Sequence, residues 1–176
     1  MSDIASGDMG PWLSPEELAF VRRKVPMLYV DAVPVQLNDD GSLNSVGLLL
    51  TVADDGLTRS LVSGRVLYHE SIRDALVRHL EKDLGQMSLP QLPVNIVPFM
   101  VAEYFPTPGE GWHDPRQHAV SMAYIIPVMG DCNPSSDSLE INWFTPGELK
   151  TPELQGEILP KHVGIVKRAL ATLGWV

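Results

Sequence analysis

Three side chains with complementary chemistry stand at helical spacing near the middle of the chain: His79, Lys82 and Asp83, at i, i+3 and i+4. On a helix these offsets put them within about 100° of one another, on one face. The imidazole and the carboxylate, one turn apart, could share a metal ion. The ammonium between them opposes a cation, and could instead meet a phosphate directly. Just upstream, Glu70 and Arg78 offer a carboxylate and a guanidinium, free to pair with each other or to meet a ligand. A second group, His113, Asp114, Arg116 and His118, straddles a loop–strand junction. No further soft ligand is near it, which argues against zinc, and Arg116 could contact phosphate or pair with an acid. Trp112 and Tyr104 could stack on a base or pack inside. The only cysteine, Cys132, lies in the turn-like Gly130-Asp131-Cys132-Asn133-Pro134, which does not poise a nucleophile.

These residues need elements to hold them. Ser14, Pro15 and Glu17 form a capping-box start for a short helix with Leu18 and Val21 inward, stopped by Pro26. Met27–Leu37 reads as a strand, Asn38-Asp39-Asp40-Gly41 as a hairpin turn, and residues 47–52 as its partner. A further turn at Asp54-Asp55-Gly56 leads to a strand over 58–62. Ser63-Gly64-Arg65 then breaks the pattern. A helix follows, with Ser71 as N-cap, Ile72, Leu76, Leu80 and Leu84 inward, and Gly85 at its C-terminus. Residues 94–105, 119–128 and 140–144 read as strands separated by Pro/Gly-rich loops, and residues 160–173 as a closing helix with Ile165, Ala169, Leu170 and Leu173 inward. Strand runs divided by single helices predict an α/β (α+β) fold, a mixed β-sheet sandwiched between helices.

The bulk properties fit one domain, residues 14–176, behind a loose tail at 1–13. The chain has 176 residues, 44% hydrophobic and 20% charged, with a net charge of −9. That composition excludes disorder. The acidic balance argues against broad binding to nucleic acid. No apolar run approaches the roughly 20 residues of a membrane span. A lone cysteine cannot staple the chain, and with no leader-like N-terminus the expected location is cytoplasmic.

Residues 64–86, GRVLYHESIRDALVRHLEKDLGQ, resemble the signature of the Nudix hydrolase superfamily, G-x5-E-x7-R-E-U-x-E-E-x-G-U, where U is a bulky aliphatic. Gly64, Glu70, Arg78, Leu80 and Gly85 match without a gap, and Asp83 replaces an acid conservatively. Leu61-Val62-Ser63-Gly64-Arg65-Val66 resembles the loop that precedes the signature. Asp114-Pro115-Arg116 before the strand at 119 resembles a strand entry of the ADP-ribose pyrophosphatase-like branch and of related Nudix-type transcription regulators, while Glu140–Phe144 with Glu148-Leu149 and the last helix resemble segments of the family.

The resemblance implies a Nudix-type sheet between helices and a ligand with a nucleoside diphosphate. Family enzymes cleave such ligands with Mg²⁺ or Mn²⁺ held by three acids on the helix. Here those positions carry His79, Lys82 and Asp83, about neutral instead of −3. A like charge about 4 Å away costs on the order of 4 kcal/mol at an effective dielectric near 20, so Lys82 opposes the metal. Asp83 and Glu70 remain as weak metal ligands, with Glu110 in the 106–116 loop where relatives place a general base. Glu70 and Arg78 match a pair that in the family ties the loop to the helix. Arg65, Arg78, His79, Lys82 and Arg116 are the candidates for binding the ligand. The expected function is binding of a nucleotide or diphosphate-containing metabolite with hydrolysis weak or absent; the alternative is an active pyrophosphohydrolase with rearranged ligands. Relatives pair through their N-terminal strands, so a homodimer is expected. Few residues follow the last helix, which leaves no room for an added DNA-binding region.

Overall fold

A computed structural model describes residues 11–134 and 138–175 of the chain. Most of the expected tail, residues 1–13, therefore lies outside the described residues. Eight strands form one mixed sheet: β1 (Met27–Leu37), β2 (Leu43–Ala53), β3 (Gly56–Ser60), β4 (Val62–Arg65), β5 (Met100–Phe105), β6 (Trp112–His113), β7 (Ala119–Pro127) and β8 (Ser138–Phe144). The order is β3-β2-β1-β7-β5-β6, with β4 also paired to β1 and β8 to β2. β1 runs parallel to β7 and antiparallel to β2 and β4.

The apolar run of β1 is buried almost throughout because both sheet faces are covered. On one face Val33, Val35 and Leu48 pack with Ile165, Val166, Ala169 and Leu170 of α4 (Pro160–Thr172). On the other, Val30, Ala32, Tyr124 and Ile126 meet Ala75, Leu76, Leu80 and Leu84 of α2 (Ile72–Leu84). The sandwich between helices is thus the observed fold. α1 (Pro15–Arg22) has its complete capping box between Ser14 and Glu17. Leu18 and Val21 lean on a third cluster built from Met27, Ala102, Tyr104 and Ala119.

Several expectations differ from the structure. Ser63-Gly64-Arg65 does not break the strand pattern: it is β4, paired with Asp31, Val30 and Tyr29 of β1. Glycine weakens a strand in isolation, but tertiary pairing overrides that preference here. The strand expected over 94–105 begins only at Met100. Pro98 lacks an amide to donate, and Val94 and Val97 are 91% and 77% exposed. The strand over 58–62 is two strands, β3 and β4, divided at Leu61, which is buried beneath α4. A short helix, α3 (Pro152–Glu157), capped by Thr151, was not anticipated.

Candidate functional site

α2 begins at Ser71, whose hydroxyl accepts from the Asp74 amide, and ends at Gly85 with φ 88°. Its apolar stripe fixes its rotation on the sheet and so decides where each polar residue points. His79 and Asp83 share the inward side with Leu76 and Leu80, and they are 6% and 7% exposed. Lys82 points outward. The single open face expected for His79, Lys82 and Asp83 is therefore divided, because the core claims the side carrying two of them.

The loop before α2 is clasped to the helix. Arg78 Nε and Nη2 donate to Glu70 Oε1 and Oε2 at 2.7 and 2.8 Å, and Nη2 also donates to the Arg65 carbonyl at 3.0 Å. The Leu67 amide donates to Glu70 Oε2 at 2.8 Å. The Arg78 bond, despite some burial, holds the Glu70 carboxyl below its usual range. The Arg78 guanidinium also lies over the Trp12 ring, 5.6 Å from its centroid. His79 completes the clasp with Nε2 3.0 Å from the Arg65 carbonyl. Its ring fills the space beside Gly64, where an added Cβ would stand 1.8 Å from His79 Cε1. Burial lowers the His79 pKa, and the Arg65 carbonyl only partly opposes this.

Glu70, Asp74, Arg78, Glu81, Lys82 and Asp131 line an open groove of about 820 Å³ along the outer side of α2. That volume is in the range of small-molecule sites. The structure thus gathers Glu70, Arg78 and Lys82. His79 and Asp83 lie behind them, and Arg65 contributes its carbonyl to the clasp. Glu110 is exposed and Arg116 lines a different groove, so neither joins this one. Arg116 forks onto Asp114 at 3.0 and 2.8 Å. Burial alone would raise the Asp114 carboxyl, but the Arg116 bonds outweigh it and hold it at about 2.

These donors do not fit a hard dication. Glu70 is committed to Arg78 and a backbone amide, His79 Nε2 to the Arg65 carbonyl, and the Lys82 ammonium stands 3.8 Å from Asp83 Oδ1. Among the described residues, no three His, Cys, Asp or Glu side chains converge as a metal-holding group, and this includes His113, Asp114 and His118. His113 instead turns Nδ1 to the Phe105 carbonyl, and His118 stacks on Phe105. Trp112 and Tyr104 pack together in the interior.

One buried cluster had no sequence signal. Asp31 and His162 come together from β1 and α4, with Nε2 3.5 Å from Oδ1 and both side chains nearly sealed. His162 Nδ1 accepts from the Leu61 amide at 3.1 Å, which turns Nε2 towards Asp31. Ser121 donates to the other Asp31 oxygen. Burial would raise the Asp31 carboxyl, but His162, Ser121 and Ser63 outweigh it and lower it. The residues are 131 positions apart at the extreme, and only the fold brings them together.

Comparison with known proteins settles the family. A family described as a domain of unknown function, DUF4916, matches residues 8–175. The chain belongs to the DUF4916 family. This DUF4916 chain is similar, at 51% identity and TM-score 0.83, to a solved structure from Jonesia denitrificans DSM 20603 described as a possible asymmetric diadenosine tetraphosphate hydrolase. The match covers 86% of this chain and 97% of that one. At 18% identity and TM-score 0.60 it resembles the NUDIX domain of Shewanella oneidensis NrtR, solved with ADP ribose, over 85% of this chain and 90% of that one. A NUDIX hydrolase from Nitrosomonas europaea aligns at 15% identity and TM-score 0.62, over 84% and 90% of the two chains. The last two likenesses show the fold: it is the Nudix fold. No curated protein matches the chain.

Proposed function

We propose that this protein binds a nucleotide or another diphosphate-containing metabolite in the groove along α2, with hydrolysis weak or absent. The observation that supports this most is the division of the helix. Arg78 and Lys82, one turn apart, face the groove, while His79 and Asp83 are turned into the protein. Lys82 would meet phosphate as a point charge beside the Arg78 clasp. Asp74 and Glu81 would accept from ribose hydroxyls. A homodimer is part of the same reading.

The experiment offers ADP-ribose, ADP and diadenosine tetraphosphate to the full chain with Mg²⁺ or Mn²⁺, reading both melting temperature and product. The expected result is a ligand-dependent rise in melting temperature without turnover at ordinary enzyme rates, and loss of that rise in Lys82→Ala. The double variant His79→Glu/Lys82→Glu is expected to gain a Mn²⁺-dependent rise in melting temperature.

A second reading, an active pyrophosphohydrolase with rearranged ligands, is favoured by the description of the 51% identical relative. Ordinary turnover, lost in Asp83→Asn, would establish it and sink the first.

A further inference from the structure

The molecule carries a second groove on a different part of its surface, lined by cations without carboxylates. Arg22, Arg23 and Lys24 end α1, and Arg116 approaches from the loop before β7. Together with Gln117 and His118 they line a groove of about 470 Å³. The chain has 13 Lys and Arg against 22 Asp and Glu, and four of those 13 cations meet here. No carboxylate lines the groove. Asp114, the partner of Arg116, is buried behind it. Among the described residues no salt bridge is formed by Arg22, Arg23 or Lys24.

Arg22 is held by a neutral partner, whereas Arg116 is paired with Asp114 but stays half exposed. Arg22 Nε donates to Gln117 Oε1 at 2.9 Å, which fixes the guanidinium against the β7 side without cancelling its charge. Arg116 is forked through Nε and Nη2, which orients the guanidinium plane, and its side chain remains 51% exposed. Lys24 lies over the Phe20 ring at 5.7 Å. Cations at a helix C-terminus offset its dipole, but that effect is confined to the last turn and one such residue serves it. The fork onto Asp114 accounts for how Arg116 is held in its own loop, but neither effect accounts for the concave surface that it shares with Arg22, Arg23 and Lys24. Two elements presenting cations to one concavity on a net-acidic protein focus a positive potential there.

We propose that this groove is a binding site for a diphosphate group, held by Arg23, Lys24 and Arg116 and independent of the groove along α2. A diphosphate places several charged oxygens within reach of the exposed Arg23 guanidinium and Lys24 ammonium, with Arg116 presenting the part of its guanidinium not engaged by Asp114. The group could be free pyrophosphate or the diphosphate of a nucleotide, and the two are separable by experiment.

The test is calorimetric titration of the full chain at low salt with inorganic pyrophosphate and, separately, with ADP. Pyrophosphate is expected to bind, and Arg23→Ala/Lys24→Ala is expected to weaken it about tenfold or more with the melting temperature unchanged, given the strength of hydrogen bonds to charged groups. These two residues are exposed, so the variant should fold. Arg116→Lys keeps the charge while giving up the fork onto Asp114, and should weaken binding less. Lys82→Ala should retain the component of binding that Arg23→Ala/Lys24→Ala removes, so failure of the α2 reading and failure of this one are distinguishable. In Lys82→Ala, equal affinity for ADP and pyrophosphate would assign the site to the phosphates alone; tighter ADP binding there would assign it to a nucleotide. Absence of pyrophosphate binding would overturn the proposal. So would binding that is identical in Arg23→Ala/Lys24→Ala, or a change in that variant confined to oligomeric state.

Discussion

At the scale of single residues, Gly64 and His79 are one unit. The ring lies where a Cβ at Gly64 would go, so Gly64→Ala must displace either the β4 backbone or the imidazole. Urea denaturation should show a loss of about 1–3 kcal/mol, the usual cost of overpacking. Much of that loss should disappear when the substitution is made in His79→Ala, giving a coupling energy above about 1 kcal/mol. His79 also sets a pH dependence. Its folded pKa lies below the ordinary 6.5 because burial disfavours the charged ring. Below 6.5 the unfolded chain takes up the proton first, so this contribution to stability is present above that pH and declines as pH falls. Melting temperature measured from neutral pH downward should drop less steeply in His79→Asn than in the natural protein. The motif was legible in the sequence as a set of letters, but the contact between its glycine and its histidine was not, because it depends on β4 pairing with β1.

At the scale of elements, α2 carries both core and site, and the core decides its orientation. Leu76, Leu80 and Leu84 have almost no exposure. Leu80→Ala should cost about 2–5 kcal/mol in equilibrium unfolding, as for other fully buried leucines. Ligand binding in the α2 groove should weaken with it, since the same packing aims Lys82. The bounds of α2 were readable because its signals are local: a serine N-cap, a leucine stripe and a glycine stop. The same holds for α1 and for the β1–β2 hairpin, where the Gly41 amide donates to the Asn38 carbonyl at 2.9 Å. β4 and the late start of β5 were misread because one depends on a partner strand and the other on a proline inside an apolar run.

At the scale of the molecule, Asp31 ties β1 to α4 and β7, while Asp114 is held within its own loop. Asp114 is held at about 2 by Arg116 and Asp31 is lowered by His162, Ser121 and Ser63. Both folded pKa values lie below the ordinary 3.8, so their contribution is present above 3.8 and is lost as pH falls through the folded values, about 2 for Asp114. Acid unfolding followed by circular dichroism should therefore move to higher pH in Arg116→Ala, whose Asp114 loses its fork. An unchanged acid midpoint would mean that Arg116 does not hold Asp114 low. The positive groove beside α1 also belongs to this scale, because its cations come from segments some 90 residues apart.

The sequence by itself determined the elements with local signals, the sandwich of sheet and helices, and which residue types stand at the signature positions. Periodicity, caps and turns act over a few residues, so they can be read along the chain. Only the tertiary structure decided that His79 and Asp83 face inward while Lys82 faces out, that Glu70 and Arg78 are locked to each other, and that Arg116 sits with Arg23 and Lys24. Those outcomes depend on which side of each element the core buries and on which strands pair, and pairing is settled by contacts between residues far apart in sequence.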